Sequence, residues 1–260
     1  MIVANLKGGL GNQLFQIAAG YAAAQRNGTE FCINYNLNHN CIQGFNPLKY
    51  KDSLYKNIPT TDYVPSKVYS EPFFHFKDIP KEKDILIDGY FQSIKYFEDY
   101  KLLVKNLFLL DSKNLQESYN IVEEKTNFNK KLGIHIRRGD YKQYSNIHTL
   151  IPSNYYIEAI SKLYTNQSIV VASDDWQSVY DENILGSNEY FSTMGCNELE
   201  DLYILSQCDD LIIGNSSFAW WCAFLGKEKH SVIAPDKWFG PGGPQDYEDI
   251  YCDNWIKLCF

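Results

Sequence analysis

The sequence predicts an α/β protein built on parallel sheets, and three observations carry that prediction. The chain opens on a strand, a glycine turn, a helix and a second strand, a unit whose crossover makes the two strands parallel. From Leu132 to Ala234 strands and helices alternate regularly, as in a doubly wound sheet. The 260 residues leave room for one large domain or two small ones. The polar stretch Asp111 to Lys131, poor in apolar residues, is the candidate connection, giving expected halves of residues 1–125 and 126–260.

Taken in order, Ile2 to Leu6 reads as a short buried strand and Gly8-Gly9-Leu10-Gly11 as the turn that ends it. Leu14, Phe15, Ala18, Ala19 and Ala22 recur at helical spacing, so Asn12 to Arg26 is a helix, and Thr29 to Tyr35 is the next strand. Asn36 to Asp84 is punctuated by proline and rich in Tyr and Lys, and irregular structure is expected there. Ile85 to Phe91 is a strand, Ser93 to about Phe108 an amphipathic helix, and Leu115 to Glu124 a helix in the connection. The second half runs strand Leu132 to Ile136, helix Ser153 to Tyr164, strand Ser168 to Ala172, and helices Trp176 to Asn183 and Asn197 to Gln207. Strand Asp210 to Ile213, helix Ser216 to Leu225 and strand Ser231 to Ala234 follow, and Gly240-Pro241-Gly242-Gly243-Pro244 closes the alternation as a loop.

Composition narrows the function. Apolar residues are 45% and charged residues 22%, ordinary globular values that exclude a disordered or collagen-like chain. The 24 basic and 32 acidic residues give −8, with a pI near 5.2, so the chain has no global attraction for nucleic acid or anionic membrane. An anionic ligand therefore needs a local cluster. The seven cysteines form no C-x-x-C pair and are odd in number, which points to reduced thiols in a cytoplasmic compartment. Met1 to Lys7 shows no basic region leading into an apolar one, and the uncharged stretches Gly8 to Gln25 and Leu211 to Gly226 carry Gly, Asn, Gln or Ser. Buried helices are expected there, with no transmembrane anchor.

In doubly wound sheets ligands sit outside the carboxyl ends of the strands, so the residues just after each strand carry the function. Four such positions are chemically loaded. His135-Ile136-Arg137-Arg138-Gly139-Asp140 places two arginines at a sheet edge, forked donors suited to a pyrophosphate, although an Arg138–Asp140 surface ion pair explains the fragment as well. Asn215-Ser216-Ser217 opens a helix, where it caps the amides or binds a phosphate oxygen. Asp174 and Asp175 end another strand, where a carboxylate accepts from guanine or simply caps the next helix. Gly8 to Gln13 is neither the phosphate loop nor the dinucleotide fingerprint, yet its glycines admit a close ligand and Asn12 offers an amide from the facing half of a cleft. No Asp-x-Asp pair holds a divalent metal, the five histidines lack ligand spacing, and no serine-hydrolase elbow occurs, so no metal site is expected.

Together, Gly8 to Gln16, His135 to Tyr141, Ser173-Asp174-Asp175 and Asn215 to Trp221 resemble, in order and spacing, glycosyltransferase family 11, the alpha-1,2-fucosyltransferases. The resemblance implies a GT-B-like fold, two Rossmann-like halves with a ligand cleft between them. It implies GDP-fucose as donor, no cofactor or metal, inversion at the anomeric carbon, and a galactose-containing oligosaccharide or lipid-linked glycan as acceptor. On this chain it makes Arg137 the principal pyrophosphate ligand with Arg138 in support, and His135 and Asp175 readers of guanine or ribose. Ser216 and Ser217 then meet the β-phosphate, with Asp174 and Asn215 beside them, and Asn12 meets the donor. Asp140 is the candidate catalytic base, on its position beside the arginines. A sibling transferase with another GDP-deoxysugar, and a catalytically silent glycan-binding protein, are the alternatives.

Overall fold

The computed structural model describes residues 1–38, 45–108, 110, 112–127 and 129–260; Cys41 lies outside them. The chain divides into two compact units, Met1–Leu110 with Asp246–Cys252, and Asp111–Gln245 with Asp253–Phe260.

The first unit is a four-stranded parallel sheet. It begins with β1 (Ile2–Ala4), α1 (Leu10–Asn27) and β2 (Phe31–Ile33), continues through 3₁₀ turns to β3 (Val68–Ser70) and β4 (Ile85–Asp88), and ends with α2 (Lys101–Leu107). The strand order is β2-β1-β4-β3, with every neighbour parallel. β1 is completely buried, the pattern of a strand covered on both faces. The helix expected from Ser93 to about Phe108 is instead two 3₁₀ turns, Ile94–Tyr96 and Glu98–Tyr100, before α2. Phe97 leaves the helical region (φ −141°, ψ 13°) to bury its ring against Phe15. The segment Asp246–Cys252 belongs to this unit because Asp246 accepts from the backbone amides of Phe74 and His75 and Asp249 from that of Phe76.

The second unit opens with α3 (Lys113–Lys125), β5 (Lys131–Ile136), α4 (Ser153–Leu163), β6 (Ser168–Ser173), α5 (Trp176–Asp181) and β7 (Phe191–Ser192). It continues with α6 (Glu198–Ser206), β8 (Asp210–Ile213), α7 (Ser217–Phe224), β9 (Ser231–Pro235) and β10 (Ile256–Leu258). The boundary therefore differs from the expected 125/126, because α3 packs on α6, with Tyr119 edge-on to Tyr203 and Ser118 bonded to Glu200. The parallel sheet has the order β10-β9-β8-β5-β6-β7, so the chain leaves β5 first towards β6 and β7 and then returns to the other side through β8, β9 and β10. That is the dinucleotide-fold order, with its switch point between β5 and β8. α6 starts on a capping box, Asn197 accepting from Leu199 and Glu200 while Glu200 accepts from Asn197. α7 is apolar almost all round and buries Trp220, Trp221 and Phe224 against one another. Among the described residues no helix is long and apolar enough to cross a membrane.

Candidate active site

The switch point of the second sheet collects three of the loaded strand ends. His135 pairs with Ala172 of β6 and Ile213 of β8, so the segments that follow these strands emerge side by side. After β5, Arg137 is half-buried between two carboxylates. Its Nη2 donates to Asp140 Oδ1 at 2.6 Å and its Nη1 lies 3.0 Å from Asp174 Oδ2. Two bonds leave further N–H groups of the five on a guanidinium. Burial works against its charge, but Asp174, then Tyr141 and Asp140, outweigh burial and raise its pKa.

Arg138 points elsewhere. Its side chain is 3% exposed, its Nε and Nη2 both reach Glu182 Oε2 at 3.1 Å, and its Nη1 has no protein partner. The Arg138–Asp140 ion pair that adjacency suggests does not form, because the chain turns at Gly139 and delivers Asp140 to Arg137. The backbone amide of Arg138 donates 2.9 Å to Asp174 Oδ1, so one carboxylate joins the ends of β5 and β6.

His135 is 5% exposed, its ring near Phe218 (centroids 5.3 Å), and its Nδ1 has no protein partner. Burial, reinforced by Arg137, lowers its pKa to about 3, so it is a neutral imidazole across the physiological range. Asp175 caps α5 by accepting from the Ser178 amide at 3.0 Å and pairs with Lys142 at 2.7 Å. Lys142, then the Ser178 donors, pull its pKa down to about 2.

After β8, Gly214 donates to the His135 carbonyl at 3.1 Å, and Ser216 is the N-cap of α7 without a side-chain capping bond; Ser217 is the first helical residue. Asn215 is structural in its amide: Nδ2 donates to the carbonyls of Thr149 (3.0 Å) and Trp238 (2.7 Å). Around this edge three cations, Arg137, Arg138 and Lys142, face four carboxylates, Asp140, Asp174, Asp175 and Glu182. The edge therefore offers directed donors rather than a net positive field.

Asn12 stands in the first unit, in the first turn of α1, where its Oδ1 accepts from Gln92 Nε2 at 2.6 Å. Gly8 adopts φ 75°, a left-handed conformation open to glycine, and Gln13 and Gln16 bond back to the loop through the carbonyls of Gly8 and Lys7. Gln13 is itself held by Tyr55.

Four residues at the second unit's edge carry no separate signal in sequence: Tyr141, Lys142, His148 and Glu182. Tyr141 and Lys142 lie next to the arginine motif, where charge and aromaticity are visible but partners are not. Glu182 is 44 residues from Arg138 and is reached only through the fold. Among the described residues no group of three His, Cys, Asp or Glu side chains is arranged to hold a metal.

The model of glycosyl transferase family 11 matches residues 1–259. An alpha-1,2-colitosyltransferase of Escherichia coli is 29% identical over 294 residues, covering 99% of both chains. A galactoside 2-alpha-L-fucosyltransferase of Caenorhabditis elegans is 27% identical over 270 residues, covering 91% of this chain and 72% of its own. Among solved structures, NodZ alpha-1,6-fucosyltransferase soaked with GDP-fucose, an enzyme also solved from Bradyrhizobium, superposes with a TM-score of 0.58 at 13% identity. The match covers 90% of this chain and 94% of that one, a likeness of fold that agrees with the expected GT-B-like architecture.

Proposed function

Because the chain belongs to glycosyl transferase family 11, we propose that it moves L-fucose from GDP-fucose to the 2-hydroxyl of a galactoside, inverting the anomeric carbon without a metal. The observation that carries this reading is Arg137, braced by Asp140 and Asp174 at the switch point beside the start of α7. A braced guanidinium is preorganised, and its remaining donors suit the oxygens of a diphosphate. Ser216 and Ser217 begin α7, whose N-terminus favours a second phosphate.

In the reaction the acceptor oxygen bonds to the anomeric carbon as the bond from that carbon to the β-phosphate breaks. Charge builds on the departing GDP, and donors aimed at it stabilise the transition state more than the bound donor. Asp140 is assigned the acceptor hydroxyl proton, which gives one carboxylate two tasks: orienting Arg137 and serving as base. Arg138, turned to Glu182, supports through its backbone amide, which holds Asp174. His135, buried and neutral, and Asp175, bonded to α5, are assigned to the nucleoside end of the donor.

The relative named as a colitosyltransferase favours a second reading of the donor, another deoxysugar on the same nucleotide. A screen of GDP-sugars against lactose-type and galactosyl acceptors, with the product linkage determined, decides. Transfer of fucose in alpha-1,2 linkage is the expected result; transfer only of a different sugar, or none with any GDP-sugar, would replace the reading.

A further inference from the structure

We infer that Tyr141 is a positioning residue that fixes Arg137 relative to the start of α7; the inference rests on the GDP-binding reading of this edge. Three contacts of different kinds converge on its buried side chain. The Arg137 guanidinium sits over the ring, 5.2 Å from its centroid. The His148 imidazole stacks on the ring, with centroids 4.1 Å and planes 8° apart. The hydroxyl donates 3.0 Å to the carbonyl of Asn215, the residue that precedes the N-cap of α7.

These contacts form one chain of reference. Asn215 is held from its side chain by Thr149 and Trp238 and from its backbone by Tyr141, so the first turn of α7 is located relative to that hydroxyl. The ring attached to the hydroxyl supports the guanidinium face. A diphosphate held by Arg137 on one side and by the helix start on the other needs that spacing constant to within a fraction of an ångström. Tyrosine combines the aromatic face with a donor at the ring's far end, which Phe and Leu do not. His148 completes the stack: burial lowers its pKa, Arg137 adds to that and Asp140 opposes it, which keeps a second cation off the ring.

A plain core tyrosine would affect stability only, and a double-mutant cycle separates the roles. GDP affinity by calorimetry, transfer kinetics and melting temperature are measured for the wild type, Tyr141→Phe, Tyr141→Leu, Arg137→Ala and the Tyr141→Leu/Arg137→Ala double variant. Tyr141→Phe keeps the ring but loses the clip to Asn215, and kcat should fall about tenfold with GDP affinity within about threefold, the scale of one lost hydrogen bond. Tyr141→Leu should weaken GDP about tenfold in the wild-type background and less than about twofold beside Arg137→Ala, since its effect passes through that guanidinium. Wild-type kcat in Tyr141→Phe, or the same loss of GDP affinity in both backgrounds, overturns the inference. Should Tyr141→Leu not fold, Tyr141→Phe decides alone. Absence of GDP binding by the wild type would remove the underlying reading and this inference with it, a result distinct from wild-type binding without coupling.

Discussion

Asp174 holds Arg137 and the backbone of Arg138 at once, one carboxylate oxygen 3.0 Å from Nη1 of the first and the other 2.9 Å from the amide of the second. The end of β6 thereby sets the direction of a guanidinium carried by β5. A Cβ at position 139 would lie 2.2 Å from the Asp174 Oδ2 atom, so a side chain there must push that carboxylate aside.

Gly139→Ala should therefore displace the Asp174 carboxylate and release Arg137 while leaving the Arg137 and Asp174 side chains themselves in place in the sequence. The expected outcome is at least a tenfold loss of kcat/KM for the donor, roughly 1.4 kcal/mol, with the melting temperature lowered by a few degrees. Kinetics at wild-type level would show that the bracing carboxylate is dispensable.

Asp140→Asn separates the two tasks given to that side chain. The amide keeps the shape and can still accept from Arg137, but it takes no proton, so kcat should fall about a hundredfold while GDP affinity changes little. Calorimetry and turnover on the one variant suffice. Unchanged turnover removes Asp140 as base, and a parallel fall in GDP affinity makes it a brace for Arg137 alone.

Chelation should leave transfer essentially intact, since the sequence has no Asp-x-Asp pair and the leaving group is assigned to Arg137 and α7. Initial rates with and without EDTA test this. Loss of activity that Mn or Mg restores would mean that the diphosphate is neutralised by a cation.

Asp201 gives the fold a pH dependence. Burial, with Glu200 and Glu198 adding to it against the Thr193 hydroxyl bond, raises its pKa to about 7. The folded value lies above the unfolded one, near 3.9, so the protonated acid is favoured in the native state. That stabilisation is complete below the unfolded pKa and is lost as pH rises towards and through about 7. Asp201→Asn should flatten the decline of melting temperature between pH 5 and pH 8, by the equivalent of roughly 1 kcal/mol or more. Equal slopes for both proteins would show that Asp201 is ionised in the native state at acid pH.

The alternation of the second unit is legible in sequence because central parallel strands are rich in consecutive apolar residues, as in Leu211 to Ile213 of β8, the strand Asp210–Ile213 that structure and sequence bound identically. Val68–Ser70, Phe191–Ser192 and Ile256–Leu258 are not legible. All three are short edge strands, and the first and last are mostly exposed, so they lack the apolar signal. In the site, adjacency shows Arg137, Arg138 and Asp140 as a group but not who pairs with whom, because the turn at Gly139 delivers Asp140 to Arg137 instead of Arg138. Glu182 and His148 enter through packing across the fold, which no local pattern encodes.

The most direct measurement is calorimetry of GDP binding to the wild type and to Arg137→Lys, read beside their transfer rates. A lysine keeps the charge but cannot span two carboxylates and a diphosphate. The wild type should bind GDP, and the variant should lose on the order of 2 kcal/mol or more of transition-state stabilisation, a rate at least about thirtyfold lower, with an unchanged melting temperature. No heat of GDP binding in the wild type, or near-normal turnover by a folded Arg137→Lys enzyme, would contradict the assignment of Arg137 to the leaving diphosphate.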